Sequence, residues 1–332
     1  MTHQADKLKS RADKNQSSFS YLFHSKWGLA IMTALVGLLI FLSLYTGVYD
    51  LSGDGKGMFW ITRLPRTISL VLSGATMALT GLVMQLLTQN KFSETTTTGT
   101  IEWAGLGLVL VYVLLPNPTI WQRMMGAVVF AFIGSSIFFA FMSQIRLKSS
   151  LIVPIVGMML GAVISAISNF VALTFQASQV LTIWFTGSFA NVQKGRYELI
   201  WLLILVVILI YLFADRLTIV GLGEDIAVNL GINYQAMMLV GVTIVSLATG
   251  VVAAVVGYLP FIGLMVPNLV SRLAGDDLRS NLPWVALLGM ASLITGDLLS
   301  RTLVQPFEIP VSLILGVVGS SLFIAILWRR DG

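Results

Sequence analysis

Few side chains in this 332-residue sequence are placed to do bond chemistry. Cysteine is absent, which removes disulfides, thiolate metal ligands and thiol nucleophiles. The two histidines, His3 and His24, both precede the first apolar run. That excludes a histidine metal site, haem ligation or a histidine base within the membrane. No G-x-x-x-x-G-K-[ST] loop occurs; Gly53-Asp54-Gly55-Lys56-Gly57 lacks both the spacing and the hydroxyl. The chain therefore does not cradle ATP phosphates in that way, and if ATP drives it, another subunit binds the nucleotide. No catalytic residue and no metal-ligand set is assigned, and no cofactor is expected to be bound by this chain.

What remains is charge and polarity at the edges of apolar segments. Asp297 and Arg301 stand at i, i+4 and can pair on one helix face. An ionisable residue in a span is a functional candidate, and a structural ion pair is the alternative. Arg63-Leu64-Pro65-Arg66 places Pro65 where a first helical turn tolerates its missing N–H. Its two arginines can project together from the outer face towards an acidic partner, or snorkel to headgroups. Glu102 fits a helix N-terminus, where negative charge is favoured. Ser165, Ser168, Asn169 and Thr174 make one span polar; they either line a wet path or bond between helices. Gly157 and Gly161 form a G-x-x-x-G that permits close helix packing.

The segment 221–231 is too short and polar to span. Glu224 and Asp225 suit the first turn of a helix, and Gly231 suits its end. Ile226 and Leu230 share a face. A short amphipathic helix follows, either docking into a partner's groove or serving as an interfacial linker.

The elements that must position these residues are membrane spans. Hydrophobic residues make up 56% of the chain and charged ones 11%, against about 25% charged in soluble domains. Mean hydropathy is +0.88. Lipid is the solvent for much of this surface, and the net charge of +5 reflects basic loops rather than a nucleic-acid partner. Residues 1–26 read as a polar cytoplasmic tail. The run 27–48 is long enough to cross and reads as an uncleaved first span. Further apolar stretches at 64–88, 100–115, 120–144, 151–175, 197–214, 234–256, 258–273, 283–300 and 309–328 bring the total to about ten. Gly257 and Pro260 divide the longest uncharged stretch. The expected fold is thus an all-α, polytopic transmembrane bundle, with 27–332 as a single membrane domain. Of the 20 Lys and Arg, thirteen fall on the side of the N-terminus and seven opposite, which places both termini in the cytoplasm.

Tyr258-Leu259-Pro260-Phe261-Ile262-Gly263-Leu264-Met265-Val266-Pro267-Asn268 resembles the signature of the FecCD permeases of iron-siderophore and vitamin B12 ABC importers. The resemblance continues through Arg63-Leu64-Pro65-Arg66-Thr67, Gly81–Gln85, Leu222–Asp225, Gly275–Arg279, Leu287–Gly289, Gly296–Arg301 and Glu308–Val311. It departs at Asn268, where a histidine is usual, and at Tyr258-Leu259-Pro260, where glycine-proline is usual. It implies the ten-helix vitamin B12 permease-like fold and no bond chemistry in the permease itself. It also implies a second permease subunit, identical or paralogous, two cytoplasmic ATPase subunits that use ATP and Mg, and an extracytoplasmic siderophore-binding lipoprotein. By resemblance, Gly223, Glu224, Asp225, Ile226, Ala227, Leu230 and Gly231 receive the ATPase, and Arg63, Arg66 and Arg301 meet carboxylates on the binding protein. Ser165, Ser168 and Asn169 are the candidate path residues. The Asn90-Lys91-Phe92 variant with Thr95–Thr98 and Gly99 is similar to the ferric catecholate subgroup. The expected role is ferric-siderophore import across the bacterial plasma membrane, with haem or cobalamin as other cargoes. An ion-coupled secondary transporter is the rival, and only Asp297 and Glu102 would serve it.

Overall fold

In a computed structural model, residues 26–47, 56–144, 152–275 and 278–328 are described. The tail residues 1–25 and the motif residues Asp276 and Asp277 lie outside them. The described residues form α-helices and connecting turns, with no strand among them. In chain order the helices are α1 (Lys26–Tyr45), α2 (Leu64–Leu87), α3 (Thr100–Leu114), α4 (Ile120–Gln144), α5 (Ile152–Thr174), α6 (Ser178–Phe185), α7 (Leu202–Gly221), α8 (Glu224–Asn229), α9 (Tyr234–Val255), α10 (Ile262–Ala274), α11 (Leu278–Thr302) and α12 (Val311–Trp328). Seven are long and apolar enough to cross a membrane, and α3, α10 and α12 are shorter apolar helices at the remaining expected positions. The chain is an all-α, polytopic transmembrane bundle.

Helix α2 is the hub, because small residues let its neighbours close on it. A Cβ added at Gly74 would lie 2.6 Å from the Gly289 carbonyl oxygen in α11, and one at Gly81 would lie 2.1 Å from that of Gly263 in α10. Contact at backbone distance of this kind drives helix association where lipid gives no hydrophobic gain. The hydroxyls of Ser69, Ser73, Thr76 and Thr80 are buried along the same helix. Helices α3 and α4 meet in the same way at Gly107 and Gly126. The G-x-x-x-G of α5 has a different use: Gly157 faces the Thr97 carbonyl and Gly161 the Glu102 carboxyl, so it accommodates a loop and a side chain.

Three local features depart from the expected spans. A π-helical turn, Phe59–Arg63, extends α2 beyond its expected start. Helix α6 is an added eight-residue element after α5. The eighth span is helical only from Ile262, and its 13 residues cover about 20 Å. The hydrocarbon core is about 30 Å thick. Coil at membrane depth survives only where protein satisfies its backbone. Here Tyr258 N–H donates to the Trp184 carbonyl at 3.1 Å and Ser188 N–H to that of Val256 at 3.1 Å.

Candidate functional site

At one end of the bundle, α11 carries Asp297, which is fully buried. Arg66 Nη2 lies 2.7 Å from Asp297 Oδ1, and Arg301 Nη2 lies 2.7 Å from Oδ2. The Asp297–Arg301 pairing is the i, i+4 geometry expected. Arg66 also holds Glu308, with Nη2 3.0 Å from Oε2. Two arginines thus share two carboxylates, and the four charges balance.

The arginines do not project together as expected. Arg63 and Arg301 are each only 8% exposed, and both turn inward to the C-terminus of α1. Arg63 Nη1 donates to the Leu44 and Tyr45 carbonyls, each at 3.2 Å. Arg301 Nη1 donates to the Thr46 carbonyl at 2.7 Å and Nη2 to Ser43 Oγ at 3.0 Å. The physical reason is that the last carbonyls of a helix lack internal partners and carry partial negative charge. Arg66, between Asp297 and the part-exposed Glu308, is the arginine nearest a partner's reach.

At the opposite end lies α8. Gly223 adopts φ 112° and Gly231 φ 77°, so each bounding glycine holds a conformation strained for other residues. Ala227 is buried, whereas Leu222, Ile226, Val228 and Leu230 are exposed. The segment therefore presents an apolar knob, with Glu224 and Asp225 in its first turn.

The polar residues of α5 diverge. Ser168 is buried and its Oγ donates to the Ile164 carbonyl at 2.9 Å. Asn169 is exposed and lines a groove of about 540 Å³ with Ser178, Thr182, Thr186 and Ser312. Asn169 Nδ2 donates to the Ser165 carbonyl at 2.8 Å, and Ser165 itself is half-buried.

One charged residue escaped the sequence reading. Glu94, in the loop after α2, is buried. Its Oε1 accepts the Phe261 N–H at 3.3 Å and the Thr96 hydroxyl, so it caps the entry to α10. Burial pushes its pKa up to about 7 against those hydrogen bonds. A carboxyl beside a Thr-rich run with an apolar span on either side was the available signal. Because the folded-state pKa is raised, the protonated form is favoured and the cost of ionisation grows as pH rises from about 4.5 to 7. Glu94→Gln is expected to leave the thermal midpoint in detergent unchanged at pH 4.5 and to raise it above pH 7, by up to about 3 kcal/mol of stability. An equal effect at both pH values would contradict this account.

The sequence profile of the FecCD transport family matches residues 29–329. The petrobactin import system permease protein FatD of Bacillus anthracis is 56% identical over 322 residues, 96% of each chain. The petrobactin import system permease protein YclN of Bacillus subtilis is 39% identical over 310 residues, 93% of this chain and 98% of that one. A solved inward-facing metal-chelate-type ABC transporter superposes with a TM-score of 0.79 at 23% identity, covering 91% of this chain and 98% of that one, and this likeness speaks to the fold.

Proposed function

Since this chain belongs to the FecCD transport family, we propose that it is the membrane-spanning permease subunit of an ATP-binding-cassette importer that carries a ferric siderophore into the cytoplasm. The observation that carries this reading is the near full-length match, in both directions, to permeases named for petrobactin import. The chain performs no bond chemistry; ATP and Mg belong to a pair of partner ATPase subunits. A second permease, identical or paralogous, completes the membrane unit, and a siderophore-binding lipoprotein delivers the cargo from outside. The site is the bacterial plasma membrane, with the tail and both termini in the cytoplasm. Residues 27–332 act as one permease domain.

In this reading each partner has its own end of the bundle. The apolar knob of α8 would seat in a groove of the ATPase, with the flanking glycines setting its angle. The arginine–carboxylate cluster at the other end would offer Arg66 to acidic side chains of the binding protein, while Arg63 and Arg301 hold the surface from beneath. The groove at Asn169 would line the path, with Ser165 at its margin.

Uptake of radioactive iron from a ferric petrobactin-type chelate tests the assignment, in cells with and without this chain and with cobalamin uptake as the control. Uptake should be lost, restored by the gene, and abolished on ATP depletion. In the same assay Ile226→Asp with Leu230→Asp should remove most uptake and most co-purifying ATPase, because two exposed apolar contacts become charged. Arg66→Gln should lower capture of the binding protein at least several-fold. Iron uptake that persists without the chain, or that survives ATP depletion, would overturn the reading.

A further inference from the structure

We propose that the chain holds a phospholipid by its phosphate in a cavity between α3, α4, α6 and the end of α9, in the leaflet facing away from α8. The cavity is about 330 Å³, close to the lower limit for small-molecule sites. Its polar lining comprises Tyr112, Arg123, Trp184, Ser188, Asn191 and Arg196, among which no carboxylate occurs. Two guanidiniums and an indole N–H therefore converge on one space, and each is a pure donor.

Among the described residues, two of those donors have no acceptor. The indole N–H of Trp184 is buried without an acceptor, although the residue is only 6% exposed. The opposite edge of that ring packs on Gly105, whose added Cβ would lie 2.7 Å from Cζ3. The N–H edge is thereby turned away from α3. Arg123 Nε is likewise buried without an acceptor. Its Nη1 donates to Tyr112 Oη at 2.8 Å, and its guanidinium lies 5.5 Å from the centre of the Tyr112 ring. The tyrosine fixes the arginine and leaves Nε for something else. Buried donors of this kind are normally satisfied, so an absent acceptor points to a ligand. Its chemistry is anionic, with several acceptor oxygens, as a phosphate provides.

The membrane is the source because the cavity continues into lipid. A second groove of about 400 Å³ shares Ile120 and Arg196 with it and runs between Trp121 and Trp201. Both tryptophans are about half exposed, as in an interfacial aromatic belt. Below Trp121 on α4 the exposed row is Met125, Val129, Ile133, Ile137 and Phe141; below Trp201 on α7 it is Leu205, Ile208 and Leu212. An acyl chain has an apolar track on each side. The one carboxylate of this groove, Glu198, is engaged, accepting the Gly195 N–H at 2.6 Å.

The test uses the intact chain, purified and exchanged into delipidating detergent, with dioleoyl phosphatidylglycerol titrated in and bound lipid counted by native mass spectrometry. One phospholipid per chain should be retained. Dioleoylglycerol, with the same acyl chains and no phosphate, should bind at least about tenfold more weakly. Arg123→Gln with Arg196→Gln should lower phosphatidylglycerol retention by a similar factor. Trp184→Phe, which keeps an aromatic side chain but removes the N–H, should lower it several-fold at temperatures where both proteins remain folded. Should the double variant fold poorly, the exposed Arg196→Gln alone should still reduce retention measurably. Equal retention of the two lipids, or undiminished retention in the variants, would overturn the proposal. So would glycerol 3-phosphate binding to the wild type as tightly as the lipid, which would make this a site for soluble anions.

Discussion

Replacing Asp297 by alanine should destabilise the protein by about 3–5 kcal/mol, the loss expected when one member of a buried charge cluster is removed. The carboxylate is fully enclosed, and both Arg66 and Arg301 approach it at 2.7 Å. Without it, Arg66 retains Glu308 and Arg301 retains the carbonyls that end α1. Two guanidiniums would then face each other across the vacated space with one part-exposed carboxylate between them. Asp297→Asn keeps the volume and should cost less than the alanine. Glu308→Gln in the Asp297→Asn background should cost more than the two single changes together, because it strips Arg66 of its last carboxylate. Denaturant titration in detergent reads all four states of that cycle. A midpoint for Asp297→Ala indistinguishable from the wild type would show the cluster to be energetically idle.

A still larger effect is expected from one methyl group at position 81. Gly81→Ala places a Cβ 2.1 Å from the Gly263 carbonyl oxygen and 2.2 Å from its Cα. Both obstacles are backbone, so no rotamer change relieves them, and α2 and α10 must separate. Separation would also pull the Phe261 N–H away from Glu94. The loss should exceed about 4 kcal/mol, in the range reserved for a broken core contact. The control is Gly37→Ala in α1, where an added Cβ meets nothing within 4 Å. Helix propensity then favours the alanine by up to about 1 kcal/mol. Size-exclusion profiles and thermal midpoints of the two variants should diverge sharply. A monodisperse Gly81→Ala protein with a normal midpoint would mean that α2 and α10 do not meet as described.

The sequence was most informative where one residue type decides the outcome. Ten apolar runs gave ten helices in the expected order, because hydropathy over about 20 residues reports the solvent directly. The short helix between Gly223 and Gly231 was legible for a similar reason, since glycines and an acidic first turn mark its ends locally. Features built from distant partners were not legible. Nothing near Arg63 or Arg301 in the chain announces that their acceptors are the carbonyls of α1. Glu94 lies in a polar Thr-rich loop, which reads as solvated until α5 closes over its neighbours through Gly157. The late start of α10 depends on a carboxylate and a short helix from elsewhere in the chain. Pattern gave the list of spans; pairings between different helices decided how the charged ends are used.

The inward turn of Arg301 also sets an order of events during synthesis. The first span reaches the membrane early, yet Ser43 and Thr46 accept hydrogen bonds from a residue some 258 positions later. At roughly 5–20 residues per second, a ribosome needs on the order of tens of seconds to cover that interval. Until then the end of the first span has Arg63 as its guanidinium partner, together with whatever water and headgroups supply. Its final seat is closed only once the segment carrying Arg301 has been made, so the first span is latched long after it has entered the membrane.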